Sequence, residues 1–371
     1  MFTNPFPHAF GLDIGDLSLK LVQLDNVSNR WSGPRYQVRA VRSIHLPYGL
    51  IVNGELQQPE QVRHYIEKLL KGSSKTQKPV RSPWVVVGLP ETKSFIKLIM
   101  INKPEDEIIE DDIVLEAKKH IPFTGEDKYY LDWYTLPPSE TSKDKTRVLI
   151  GAIPKFIADS YTYLLESLGL GVIGLEIEAL SITRCMVTAS KVYTNEARAL
   201  LDIGATRSSL IIYDNDSIQF STSLSYSGEL LTTAIAQPEN ISYEEAERIK
   251  RESGLAYTKN KKAYAALMKV TDQLVVDIQK SIQFYYTHFS AGNKITHITM
   301  CGGVANMKKL SDVLTLKLKI ECAPGQVWKN LGVVWKKVYP GASESESLTY
   351  ATAIGLALRA ADNIFAVRDT L

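Results

Sequence analysis

The stretch GLDIGDLSLK, Gly11 to Lys20, decides how the chain is read, because it returns in the second half as LLDIGATRSS, Leu200 to Ser209. In both copies an apolar run leads into Asp-Ile-Gly and a polar turn. An apolar run then resumes, with Leu19, Leu21 and Val22 in the first copy and Leu210 to Ile212 in the second. That is the pattern of strand, tight turn, strand. One Asp-Ile-Gly is a common hairpin end; two, each opening a half of the chain, are an internal repeat. A glycine at such a turn lets the backbone approach an anion closely, and successive N–H groups can form a concave nest around it, so the turns point to phosphate. Asp13 and Asp202 then need a positive charge between them. A hydrated Mg2+, held through water by the two carboxylates and by phosphate oxygens, meets that need. Lys20 is the cationic clamp expected on the phosphates.

Length and composition bound the rest. The 371 residues suffice for two domains with ample cores, and 44% hydrophobic with 23% charged residues is ordinary for a globular protein. A net charge of +2 argues against a chain whose main task is to grip nucleic acid. Cys185, Cys301 and Cys322 are widely spaced without metal-ligand pairing, which fits small buried residues in a reducing compartment. No apolar run reaches about 18 residues, and MFTNPFPHAF lacks the regions of a signal peptide. The expectation is a cytoplasmic protein without direct membrane insertion, peripheral to the inner face of the membrane through a partner.

Taken in order, Trp31 to Arg42 alternates as sheet strands do, Pro59 opens a helix with Val62, Tyr65, Ile66, Leu69 and Leu70 on one face, and Gly72 ends it. KGSSKTQKP reads as a solvated linker and Trp84 to Val87 as a buried strand. Residues 91 to 166 read as a small unit inserted into the first domain: strand (Phe95 to Ile101), helix, strand (Tyr129 to Leu136), strand (Arg147 to Ala152), helix. Its first helix is expected to start at Pro104, with Glu105 to Glu107 in the opening turn and Lys118 to His120 in the last, complementing the helix dipole, and to stop at Pro122. His120 is then a helix-end residue. Pro137 to Lys145 reads as a polar hairpin loop. Gly171 to Glu178 is a return strand, followed by a helix through Ile182 and Met186. In the second half, Ile241 to Ser253 is a helix with Ser242 and Glu245 as a capping box. A long helix follows with Leu267, Val270, Leu274, Ile278, Ile282, Tyr285 and Phe289 as a core stripe. A strand from Ile295 then runs into CGGVANMKKL, and Glu344 to Ala361 forms a final apolar helix.

This order of phosphate turn, inserted unit, second phosphate turn, charged helix, glycine pair and closing helix resembles the superfamily of actin, sugar kinases and DnaK-type chaperones, in which two similar halves close on ATP. The resemblance implies an α/β, actin-like (ribonuclease H-like) two-domain ATPase fold. Domain I would span 1–196 with the insert at about 91–166. Domain II would span 197–371 with a subdomain at about 240–292, and the helix 344–361 would pack back toward domain I. Position by position, Asp13, Gly15, Asp16, Ser18 and Lys20 fall in the first phosphate segment; Asp202, Gly204, Thr206, Arg207 and Gly228 fall with the second. Gly302 and Gly303 match the adenosine segment, and Glu247, Lys250 and Arg251 are similar to the chaperones' adenosine-contacting helix. Glu178 falls where the family orients the attacking water, so Glu178 and Asp202 are the candidate catalytic groups.

Within the superfamily, Leu115 to Leu136 (LEAKKHIPFTGEDKYYLDWYTL), Gly228 to Lys250 and Ala353 to Ala361 resemble the PilM family of type IV pilus assembly proteins, with its FtsA-type inserted subdomain. The resemblance implies a nucleotide-loaded adaptor of twitching motility, with ATP and Mg2+ as cofactors and ATPase turnover slow or absent. It would bind the N-terminal cytoplasmic peptide of a PilN-like inner-membrane protein beside the insert, and through it join the alignment complex and the pilus motor ATPases; self-association is left open. Leu115, Ile121, Pro122 and Phe123 are either ordinary core or neighbours of that groove. Two departures stand out. Asp16 occupies the place of a phosphate-donating Ser or Thr and would repel the anion unless it turns to the metal or to Lys20. Arg207 either bonds phosphate or is a surface residue. The alternatives are a sugar-kinase-like phosphotransferase, requiring a carboxylate base such as Asp202 or Glu178, and a filament-forming division protein like FtsA, disfavoured by the short tail ADNIFAVRDTL.

Overall fold

The computed structural model describes residues 4–28, 35–72, 77–123, 128–137, 145–257, 260–289, 292–332 and 344–362. The expectations for residues 31–34, 73–76, 138–144 and the tail beyond 362 lie outside them.

Each Asp-Ile-Gly copy ends a strand inside its own sheet. β1 (Phe10–Ile14) pairs antiparallel with β2 (Ser18–Asn26), which pairs with β3 (Tyr36–His45). A small hairpin, β4 (Ile51–Val52) and β5 (Glu55–Leu56), and helix α1 (Pro59–Lys71) follow. α1 starts at its proline, buries Val62, Ile66 and Leu69, and stops where Gly72 takes a φ of 89°. β6 (Trp84–Leu89) and β10 (Gly171–Ile177) complete the sheet in parallel, giving the order β10-β6-β1-β2-β3.

Between β6 and β10 lie β7 (Phe95–Ile101), α2 (Glu110–Ala117), β8 (Tyr129–Leu136), β9 (Thr146–Pro154) and α3 (Lys155–Glu166). Two expectations change here. α2 does not begin at Pro104, which stays extended and leads into a single 3-10 turn at Glu105–Glu107. Instead the Asp112 carboxylate accepts the Ile109 N–H at 3.2 Å and the Lys103 ammonium at 2.8 Å, and the helix starts at Glu110. The unit expected over 91–166 also divides. Ile157, Tyr161, Leu164 and Leu165 of α3 pack into the core of the first sheet with Phe10, Leu12, Val62 and Ile66. The strands β7, β9 and β8 bury a small core of their own around Ile99, Ile113, Tyr129 and Ile150.

α4 (Glu178–Met186) leads to the second copy: β11 (Ala197–Ile203), β12 (Ser208–Asp214) and β13 (Ser217–Leu224) are antiparallel. After α5 (Gly228–Glu239), α6 (Tyr243–Ser253) and α7 (Lys261–His288) come β14 (Ile295–Cys301), α8 (Leu310–Leu318) and β15 (Glu321–Pro324). β14 and β15 are parallel to β11, so the five strands repeat the first sheet's topology. The inserted strands join this second sheet, not the first, through β7 against β13 at Phe220 and Lys97, making eight strands.

The expected final helix is broken. Glu344–Ser347 is one turn, a 3-10 turn covers Leu348–Tyr350, and α9 (Ala351–Ala361) follows. The Leu348 carbonyl accepts the Gly302 N–H at 3.0 Å, which diverts it from the helical ladder. α9 lies backbone to backbone against its neighbours. A Cβ on Gly11 of β1 would stand 2.4 Å from the Ala357 nitrogen, and one on Gly355 would stand 1.9 Å from the Ser181 oxygen of α4. Glu176 ties β10 to both helices, accepting Arg184 at 2.6 and 3.0 Å and Arg359 at 2.5 Å. Burial alone would raise this carboxyl; the two guanidinium groups outweigh it and hold it below the usual range. Among the described residues no helix is long and apolar enough to cross a membrane.

Candidate functional site

The two hairpins close in the same way. The Gly15 N–H donates to the Ser18 carbonyl at 3.0 Å, and the Gly204 N–H donates to the Arg207 carbonyl at 2.9 Å. Asp13 faces Lys20 across the β1–β2 pairing, and the Lys20 ammonium donates to its carboxylate at 3.1 Å. The matching pair in the second hairpin is Asp202 with Ser209, so the clamp has no cationic twin. Asp202 instead accepts the Cys301 thiol at 3.4 Å. Burial pushes the Asp202 carboxyl up, the charge on Asp13 pushes the same way, and the thiol and Lys20 oppose it. Gly302 closes the floor at φ 86°; a Cβ there would come within 2.6 Å of the Asp202 carboxylate and 2.4 Å of the Ile203 oxygen. Gly303 is exposed, and beside it only a Thr349 methyl, at 3.8 Å, meets its missing Cβ.

Asp16 does not turn to Lys20 but to Gly54 and the second hairpin. Its buried carboxylate accepts the Gly54 N–H at 3.0 Å, the Thr206 hydroxyl at 3.0 Å and the Arg207 guanidinium at 3.4 Å. Arg207 is therefore no surface residue: its side chain is 16% exposed, and its other end donates to Glu178 at 3.2 Å. Burial pushes the Glu178 carboxyl up to about 8, with Arg207 opposing and Asp13, Glu91 and Asp202 adding to the rise. The first residue of α4 is thus a desolvated acid held by the second hairpin's arginine.

The first turn of α5 is closed onto the second hairpin. The Gly228 and Glu229 N–H groups donate to the Gly204 and Ala205 carbonyls at 3.0 and 2.9 Å, and the Ser227 hydroxyl oxygen accepts the Leu230 N–H at 3.2 Å. Lys250 is buried and donates to the Gly228 carbonyl and the Thr232 hydroxyl at 2.8 Å each and to Glu247 at 2.6 Å. Glu247 also accepts Arg251 at 2.8 Å, and Arg251 is exposed on a surface groove with Tyr243, Arg248 and Glu252. Ser18 supplies the carbonyl that closes the first turn. Leu115 is exposed while Ile121 lies in the small core of the insert.

Two site residues escape the sequence reading. Glu91, just after β6, is buried; the Ser221 hydroxyl of β13 donates to it, and burial pushes its carboxyl up to about 7. Nothing in LPETK marks it. Gly54 holds Asp16, and its carbonyl accepts the Tyr161 hydroxyl at 3.0 Å. Here a signal existed: Asn53-Gly54 between two short extended pairs, both with positive φ, is the dipeptide of a tight hairpin.

Among the described residues no three His, Cys, Asp or Glu side chains are placed to hold a metal directly. Asp13 and Asp202 at matching turns, with Lys20 beside them, fit a cation held through water and an adjacent phosphate. The second hairpin's own donors, Thr206 and Arg207, are taken by Asp16.

The family model of the type IV pilus assembly protein PilM matches residues 11–361. A solved PilM-PilN type IV pilus biogenesis complex is similar at 25% identity and a TM-score of 0.78, covering 96% of this chain and 100% of that one. Two more distant structures share the actin-like fold. The ethanolamine utilization protein EutJ from Carboxydothermus hydrogenoformans has 14% identity and a TM-score of 0.52, covering 95% and 90%. MreB 5 of Spiroplasma citri, bound to AMPPNP, has 11% identity and a TM-score of 0.51, covering 95% and 96%.

Proposed function

The chain belongs to the PilM family of type IV pilus assembly proteins, and from that premise we propose that it is a cytoplasmic adaptor that binds ATP with Mg2+ between its two halves and the N-terminal peptide of a PilN-like membrane protein beside its insert. The observation that carries the adaptor reading is the full-length likeness to a PilM-PilN complex. The surface supports it. Tyr130 on β8, the outer strand of the larger sheet, is 48% exposed, and Phe156 and Tyr163 on α3 are 61% and 68% exposed. Tyr130 is bonded to Asp159 at 3.0 Å, so these aromatics line the junction of β8 with α3. An apolar peptide segment would find there both rings and a strand edge that is unpaired among the described residues.

For the nucleotide, Asp13 and Asp202 would hold Mg2+ through water, Lys20 would meet the phosphates, and Gly302 and Gly303 would admit the adenosine. Bound magnesium would supply charge neutralisation of the phosphates. The chain's own part is to orient them from both halves, which favours one relative orientation of the sheets. Glu178, tied to Arg207, is poorly placed to accept a proton from water, which supports slow or absent turnover. Titration calorimetry of a PilN-like peptide tests the adaptor reading: Phe156→Ala with Tyr163→Ala should weaken it at least about tenfold. Undiminished binding would remove that face. Mg-ATP binding lost in Asp13→Ala tests the cleft.

A further inference from the structure

Asp16 breaks the internal repeat, because Asp13 aligns with Asp202 and Gly15 with Gly204, which puts Asp16 opposite Ala205. Its carboxylate is a point where the two hairpins meet. It accepts a backbone N–H at Gly54, the Thr206 hydroxyl and the Arg207 guanidinium, all within 3.4 Å, at 6% exposure. A main-chain N–H in a glycine turn, a hydroxyl and a guanidinium are the three kinds of donor that commonly hold a phosphate oxygen. They converge here on an oxygen that the chain itself supplies.

We infer that Asp16 is an intramolecular stand-in for phosphate, a latch that ties the two hairpins together without nucleotide and that a nucleotide must displace from Thr206 and Arg207 in order to bridge the same turns. The inference rests on the nucleotide reading above and deepens it. One set of donors cannot serve two anions at once, so nucleotide affinity is lowered by the population of the latched state. Release does not strand the arginine, since Glu178 still accepts from its other end. Asp16 keeps the Gly54 N–H when it lets go of the second hairpin. The latch can therefore open with Arg207 and Asp16 each keeping a hydrogen-bond partner.

Calorimetric titration of the full chain with Mg-ATP tests it. Asp16→Ser should bind at least about tenfold more tightly than wild type, a difference well resolved by the method. Asp16→Asn, which keeps the shape and the acceptor for Gly54, replaces it if the serine variant does not fold. Equal or weaker binding by the variant overturns the latch. If neither protein binds Mg-ATP, the nucleotide reading fails. The latch is then judged by a double-mutant cycle of Asp16→Ser and Thr206→Val in thermal unfolding without nucleotide: coupled losses support the tie between the hairpins, and additive losses overturn it.

Discussion

The two hairpins share a backbone and differ in chemistry, and the difference is complementary. Each closes its turn with a glycine N–H donating to the carbonyl three residues ahead, at 3.0 Å in one and 2.9 Å in the other. The first then offers a buried carboxylate at Asp16, and the second offers the hydroxyl and guanidinium that bond to it. Two identical copies would present like groups to each other. Divergence into acceptor and donors lets a duplicated element bond to itself.

The comparison breaks most severely five residues earlier, inside the strands. β1 carries Gly11 where β11 carries Leu200, because the backbone of α9 passes within 2.4 Å of the missing Cβ. Gly11→Leu, which makes the first strand read like the second, should displace α9 and cost at least ~3 kcal/mol. A shift of the urea midpoint, or failure to recover folded protein, checks this. An unchanged midpoint would mean that α9 yields freely. Next in size is Arg207→Ala. It leaves the buried Asp16 and Glu178 carboxyls without their shared cation, and a loss of ~3 kcal/mol is expected. A loss below ~1 kcal/mol would mean that solvent already pairs both groups.

Much of this was legible in the residues. The repeated Asp-Ile-Gly located both hairpins, period-three and period-four apolar spacing located α1 and α7, and the Ser242–Glu245 capping pattern located α6, because those signals are local. The attachment of β7 to β13 was not legible, since one backbone pair at Phe220 and Lys97 joins segments far apart in the chain. Nor was the fate of Asp16. Its sequence neighbours predict repulsion of an anion, and its partners come from residues 54, 206 and 207, which only the fold brings together. Glu91 is the extreme case, a buried acid whose partner Ser221 lies on the other half.

That acid sharpens the comparison through pH. Burial raises the Glu91 carboxyl from 4.5 to about 7, so the folded state binds its proton more tightly than the unfolded chain does. Its stabilising contribution is therefore fully present below about 4.5 and is lost as pH rises through about 7. Wild type should lose up to ~3 kcal/mol over this window, and Glu91→Gln should flatten the slope and be the more stable protein at pH 8. Glu178, raised to about 8, contributes with the same sign and remains in the variant, so some slope persists. Parallel stability–pH curves for the two proteins would contradict the burial of Glu91.

The smallest effect separates the donors on the second hairpin. Thr206→Val keeps the shape of the side chain and removes one hydroxyl donor, leaving Asp16 with the Gly54 N–H and Arg207. A hydrogen bond to an ionised carboxylate contributes ~1.5–3 kcal/mol when its loss leaves the acceptor bare. Asp16 keeps two donors, so the expected loss is nearer ~1 kcal/mol. At 3.0 Å the hydroxyl sits closer than the guanidinium at 3.4 Å. If distance governs the tie, Thr206→Val destabilises more than Thr206→Ser, which retains the hydroxyl. If the two variants melt alike, the long-range charge of Arg207 holds Asp16, and the second hairpin acts on the first as a cation and not as a hydrogen-bonding surface.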